Sequence, residues 1–269
     1  FTLLAAAKGQ APGYEIKDVA KLHAVAGLMG VEVGSRSKEE IAIDVANKAI
    51  AEFGKQNDNL IYLSRAPQKR QEIWKKLGIA PRGVDREVVE MLHRTVVGND
   101  QDPEHILLGA LRTSLADGWG GSMLSTDISD ILFGTPAPVR SQANLGVLKE
   151  DEVNVVIHGH EPTLSMLLVQ AASDPDILAY ARSKGAQGIN LAGICCTANE
   201  ILTRQGISVA GNFLQQELAI ITGAVEAMVV DVQCVMEALV PLSAKYHTKL
   251  ITTSRKAKIA GAMHIEFDE

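Results

Sequence analysis

Five short apolar, β-branched runs spaced by segments of helical periodicity constrain this chain more than any other feature. They are "VNVVIHG" from residue 153, "INLAGI" from 189, "SVAG" from 208, "AMVVDV" from 227 and "KLITTS" from 249. A strand with one wet face alternates apolar and polar residues, whereas these runs are nearly continuous, so both faces must be covered. The segments between them are "PTLSMLLVQAAS" with "DPDILAYARSKG", then "TANEILTRQG", "NFLQQELAIITGA" and residues 235–245, all read as helices. Strands alternating with helices build a parallel sheet with helical layers on its faces. Right-handed crossovers then bring every strand's C-terminal end to one edge.

The first half carries the helical period instead. In "SKEEIAIDVANKAIAEFG" Ser37 and Glu40 form a capping box, and Gly54 supplies the stop. "DREVVEMLHRTVVG" is read as starting from a cap at Asp85, and "DPEHILLGALRTSLADG" from Asp102 with Pro103 in the first helical position. Shorter helices are expected over 16–29 and 66–77. The stretch "ILFGTPAPVRSQANLG" concentrates glycine, proline and polar residues, which marks a boundary. The expected fold is α/β, with a helical N-terminal region over residues 1–140 followed by a Rossmann-like parallel α/β domain over 141–269.

Hydrophobic residues make up 46% and aromatics 4%, so aliphatic side chains and alanine must fill the cores, and Trp74 and Trp119 are read as packing anchors. A net charge of −6 argues against nucleic acid and anionic membranes as partners. The basic residues of "SRAPQKRQEIWKKLG" read as a solvated helix face, and no apolar run is long enough for a membrane span. Three cysteines in 269 residues make no disulfide framework, which places the chain in a reducing, cytoplasmic setting. It opens on "FTLLAAAKG" and closes on "MHIEFDE", and is expected to be an internal fragment of a longer protein.

Ligands of open α/β sheets gather at the carboxyl ends of the strands. His158 and His160 follow "VNVVI", Cys195 and Cys196 follow "INLAG", and Cys234 follows "AMVVDVQ". A free cysteine is often only a small buried hydrophobe, but here all three converge on one edge. His23, His93, His105, His247 and His264 show no such convergence and read as ordinary surface or hydrogen-bonded groups. No C-x₂-C pair supports a structural zinc site or a thioredoxin-type redox pair. No phosphate loop or G-x-G-x-x-G follows these strands, and no G-x-S-x-G elbow is present. Thiols with imidazoles suit iron–sulfur and nickel chemistry.

The segments "VVIHGHEPTLS", "GINLAGICCTANEIL", "GNFLQQELAIITGAVEAMVVDVQCVM" and "YHTKLITTS" strongly resemble the anaerobic nickel-containing carbon monoxide dehydrogenases. The likeness runs through most of residues 150–260, and "DGWGGSMLSTDISDILFGTPAP" extends it into the helical half. The resemblance implies oxidation of CO with water to CO₂, two protons and two electrons at a nickel–iron–sulfur cluster of the Ni-4Fe-4S type. It implies that His160 and Cys196 hold an outlying iron and that Cys234 holds an iron of the cubane. Cys195 would be the neighbouring thiol able to reach the cluster, and His158 the fallback ligand. Glu161, Asn199 and Asn212 would lie near the site as hydrogen-bonding support.

The same resemblance places further ligands, including the thiolate on nickel, and additional 4Fe-4S clusters in other parts of the parent protein. It implies a homodimer, a redox carrier such as a ferredoxin, and acetyl-CoA synthase as an optional partner. With three cysteines the fragment alone is expected to be inactive. The alternatives are a hybrid-cluster or hydroxylamine-reductase-like iron–sulfur protein, and a cluster-free scaffold paralogue.

Overall fold

A computed structural model describes residues 1–267 and divides the chain into two compact units, Phe1–Thr135 and Pro136–Glu269. The first is helical: α1 (Thr2–Ala7), α2 (Val19–Leu28), α3 (Lys38–Phe53), α4 (Gln68–Lys76), α5 (Val84–Thr95), α6 (Pro103–Leu115) and α7 (Met123–Phe133). Ser37 and Glu40 make the reciprocal capping box of α3, and Asp102 caps α6 through the amides of Glu104 and His105. Leu3, Leu22, Ile41, Val45 and Ile131 fill the interior. Trp74 packs edge-on against Trp119 with ring centroids 5.6 Å apart, as anchors of a cluster with Leu60, Leu63 and Ala116.

Several boundaries differ from those expected. α5 begins before Asp85, because Gly83 stands at its cap and Asp85 lies in the first turn. A Cβ at Gly83 would come within 2.0 Å of the Lys55 carbonyl oxygen, so a close backbone approach selects glycine there. α2 starts from a side-chain cap at Asp18, and α4 starts after Pro67. After α6 the chain widens into a π-helical segment, Ala116–Ser122, before continuing as α7.

The second unit holds one sheet: β1 (Val153–His158), β2 (Ile189–Ile194), β3 (Val209–Gly211), β4 (Ala227–Val230), β5 (Lys249–Thr252) and β6 (Met263–His264). Its strands are all parallel, in the order β3-β2-β1-β4-β5-β6. The connecting helices are α8 (Pro162–Ala172), α9 (Pro175–Ser183), α10 (Cys195–Gln205), α11 (Gln216–Ile221) and α12 (Leu239–Ser243). Val156, Ala192, Ile194, Met228, Val230 and Leu250 form the core of this unit. The α/β class and the parallel sheet are those read from the sequence.

Two elements fall short of expectation and one exceeds it. The helix expected over 235–245 shrinks to α12, because the chain leaves Cys234 in a left-handed conformation and Pro241 removes an amide donor. The segment from Phe213 splits into a 3₁₀ turn, Phe213–Gln215, and the short α11. β6 has only two residues, too few to show a period. Among the described residues no helix is long and apolar enough to cross a membrane.

Sheet order decides where a ligand can sit. From β1 the chain goes to β2 and β3 on one side, then to β4, β5 and β6 on the other. The crevice therefore opens beyond the carboxyl ends of β1 and β4. Register sets those ends level, since His158 pairs with Ile194 on one side and with Val230 on the other. The residues that follow these three positions face one another across the crevice.

Candidate functional site

The turn after β1 is shaped around Asp231. Gly159 has φ +133°, and a Cβ there would lie 1.8 Å from Asp231 Oδ1. Only glycine admits the carboxylate at that distance. Asp231 is buried, and accepts hydrogen bonds from the amides of His160 (2.7 Å), Glu161 (2.9 Å) and Val232. The Asp231 amide donates to the His158 carbonyl, and the Thr197 amide of α10 donates to the Gly159 carbonyl at 2.9 Å. One buried carboxylate thus binds the end of β1 to the end of β4, with α10 tied to the same turn.

His160 sits beyond the strand, so the alternation that would place it on the same face as His158 stops at Gly159. Its Nδ1 is buried without a hydrogen-bond partner. A buried polar atom left unpaired costs about 1–3 kcal/mol, and such a nitrogen suits metal ligation. His158 Nδ1 and the Thr197 Oγ1 hydroxyl are likewise buried without a partner.

The cysteine pair occupies the first turn of α10, one step later than the strand end expected from the sequence. Gly193 lets that helix pack hard on its own strand, because a Cβ there would fall 2.5 Å from Ala198 Cα. Cys195 has φ +63°, Gln233 φ +61° and Cys234 φ +52°. Left-handed backbone costs an L-residue about 1–2 kcal/mol, and such outliers persist where surrounding structure over-determines them. Cys196 and Cys234 are exposed and Cys195 half-buried, unlike a cysteine serving as a core hydrophobe.

The thiols feel one another. Burial, and then the neighbouring thiols of Cys234 and Cys196, push Cys195 up to about 11. Burial raises Cys196 as well, followed by Cys234, Glu200 and Asp231. This environment favours the neutral thiol at Cys195 and Cys196, and a bound cation reverses that preference.

His158 is fully buried, and its Nε2 lies 3.0 Å from the Gln216 side-chain oxygen. Burial pushes its imidazole below the ordinary histidine range, against the raising effect of Gln216. Of the proposed supporting residues, Glu161 accepts from the Thr163 hydroxyl at 2.6 Å, and Asn212 caps the 3₁₀ turn through the Leu214 amide. Asp231 and Gln216 were not singled out from the sequence. Their signals were an acidic residue just past an apolar run, and a glutamine inside the pattern of a core-facing helix.

Among the described residues no three His, Cys, Asp or Glu side chains converge on the position of a single metal ion. The donor set is instead three thiols and two imidazole nitrogens without a hydrogen-bond partner, those of His158 and His160, beyond the ends of β1, β2 and β4. It fits a multi-metal cluster whose metal atoms are shared out among these ligands, and that fit needs further ligands from elsewhere.

The fold is thus an open parallel α/β sheet with thiols and imidazoles placed at its switch point, donors that suit a metal. Residues 1–269 match the Prismane/CO dehydrogenase family, and the chain belongs to it. Within the family it is similar to "Carbon monoxide dehydrogenase 1" of Methanosarcina mazei, 58% identical over 97% of this chain and 42% of the relative. The beta subunit of carbon monoxide dehydrogenase/acetyl-CoA synthase from Moorella thermoacetica is 44% identical over 98% of this chain and 39% of the relative. The crystal structure of a nickel-free carbon monoxide dehydrogenase from Thermococcus sp. AM4 superposes with a TM-score of 0.96 at 50% identity. It covers 99% of this chain and 42% of that one. The chain thus spans about two fifths of the length of the curated relatives it matches.

Proposed function

We propose that this chain is part of the catalytic subunit of an anaerobic carbon monoxide dehydrogenase, an oxidoreductase that converts CO and water reversibly to CO₂. The observation that supports the reading is that Cys195, Cys196, Cys234 and the unpaired His160 nitrogen all follow the level ends of β1, β2 and β4. Strong similarity to relatives bearing that name supports it. Residues 1–140 would be the helical part and 141–269 the cluster-binding part.

His160 and Cys196 would hold one iron, Cys234 a second, and Cys195 would stand beside them as an alternate thiol, with His158 behind the site. When bound, a nickel–iron–sulfur cluster of the Ni-4Fe-4S type supplies the redox centre at which two electrons leave CO. The thiols give up protons as they take their metals. Asp231 orients the His160 backbone, and the apolar β-strand ends limit water on the protein side of the crevice. The remaining ligands and the additional 4Fe-4S clusters would come from other parts of the parent polypeptide. So would contacts to a second copy, a ferredoxin-type carrier or acetyl-CoA synthase, in a cytoplasmic setting.

The test is CO-dependent viologen reduction by the full-length polypeptide, purified without oxygen and supplied with nickel. Nickel-dependent reduction is expected. Iron-replete protein that reduces hydroxylamine and leaves CO untouched would move the assignment to the hybrid-cluster branch of the family, and protein that binds no iron would make it a scaffold.

A further inference from the structure

The left-handed backbone at Gln233 and Cys234 needs something to hold it, and the structure supplies one side chain that does. Gln216 is fully buried at the start of α11. Its amide nitrogen donates to the carbonyls of Phe213 (2.8 Å) and Cys234 (3.2 Å). Its oxygen accepts from the Met236 amide at 3.1 Å and faces His158 Nε2 at 3.0 Å. All four hydrogen-bonding positions of the side chain are used.

The orientation of this amide is determined by its neighbours. A flipped side chain would set its N–H groups against the Met236 amide and its oxygen against two carbonyls, so each of those backbone groups would lose its bond. With the oxygen fixed as an acceptor, His158 must carry its hydrogen on Nε2 and donate. The two bonds to the Cys234 carbonyl and the Met236 amide grip the loop on both sides of Val235, where the chain turns out of its left-handed stretch.

We infer that Gln216, backed by His158, is a positioning residue that fixes the Cys234 thiol in the crevice. His158 acts on Gln216 through Nε2. The inference rests on the reading of Cys234 as a cluster ligand. Residues that orient metal ligands commonly cost 10–100-fold in metal affinity or activity when lost.

Gln216→Met keeps the volume and removes all four bonds. Gln216→Glu keeps the shape and both acceptor positions but turns the donors to Phe213 and Cys234 into repulsive contacts. In the full-length protein without its cluster, hydrogen exchange over residues 232–238 is expected to accelerate about tenfold or more in both variants, with other segments unchanged. After reconstitution, the variants are expected to show an altered cluster EPR spectrum. Their kcat for CO oxidation should fall about tenfold or more with little change in KM. Should Gln216→Met fail to fold, Gln216→Glu carries the test. Wild-type exchange over 232–238, or faster exchange with an unchanged spectrum and kcat, would overturn the inference. Cys234→Ser is run alongside: if it retains iron and spectrum, the ligand reading fails, and exchange alone then judges the grip of Gln216 on the loop.

Discussion

Gly159→Ala is the substitution that most directly tests how the site is built. The added methyl would overlap Asp231 Oδ1 at 1.8 Å and Cγ at 2.4 Å, at a residue with φ +133°. Asp231 cannot swing aside freely, because it is buried and its two oxygens hold the amides of His160 and Glu161. Backbone strain of this kind costs about 1–3 kcal/mol. Displacing the carboxylate forfeits two hydrogen bonds to a charged group, about 1.5–3 kcal/mol each. The sum is on the order of 5 kcal/mol, a large share of the ~5–15 kcal/mol that stabilises a typical domain.

Gly206→Ala is the control. It also has positive φ, +71°, but nothing lies within 4 Å of the added atom, so only the left-handed penalty of about 1–2 kcal/mol applies. Urea unfolding followed by far-UV circular dichroism, with hydrogen exchange over 153–161, separates the two. Tryptophan fluorescence would miss the effect, since Trp74 and Trp119 both belong to the helical unit. Equal losses for Gly159→Ala and Gly206→Ala would refute the account of Asp231 as the hub of the turn.

Two further outcomes follow from other parts of the molecule. Cys196→Ser is expected to lose far more cluster iron and CO oxidation than Cys195→Ser, measured by iron assay and viologen reduction in the full-length protein; the reverse order would exchange their roles. In the helical unit Glu87 is buried between Arg82 (2.8 Å) and Arg112 (2.6 Å). Burial alone would raise Glu87, but Arg82 and Arg112 together hold it below the ordinary value of 4.5. Stability from this carboxylate is therefore present above pH 4.5 and lost as pH falls through the lower folded value. Glu87→Gln should cost about 3 kcal/mol at pH 7 and flatten that acid limb, read by tryptophan fluorescence; an unchanged acid limb would count against the Arg82–Glu87–Arg112 network.

The elements most legible in the sequence are those with strong local signals. The capping box at Ser37, the cap at Asp102 and the continuous apolar runs of β1, β2 and β4 announce themselves within a few residues. Where a boundary depends on a distant contact, local signals mislead. Asp85 looks like a cap, but Gly83 takes that place because the Lys55 backbone passes against it. The helix expected after Cys234 is cut short by a left-handed loop held from α11, a restraint that local patterning does not express.

The candidate site divides along the same line. The sequence by itself determined which chemistry is available, because three thiols and two imidazoles follow apolar runs, and parallel topology sends all such positions to one edge. It also carried the motifs by which the family is recognised. Tertiary structure alone decided the rest: the strand order that opens the crevice between β1 and β4, and the register that sets His158, Ile194 and Val230 level. It also decided that His158 Nε2 turns to Gln216 while Nδ1 of both His158 and His160 is left without a partner, and that Asp231 and Gln216 hold the two sides of the site. The physical reason is one of range. Propensity, capping and periodicity act over a few residues, whereas the hydrogen bond from the His160 amide to the Asp231 carboxylate spans 71 positions of chain and exists only once the sheet has formed.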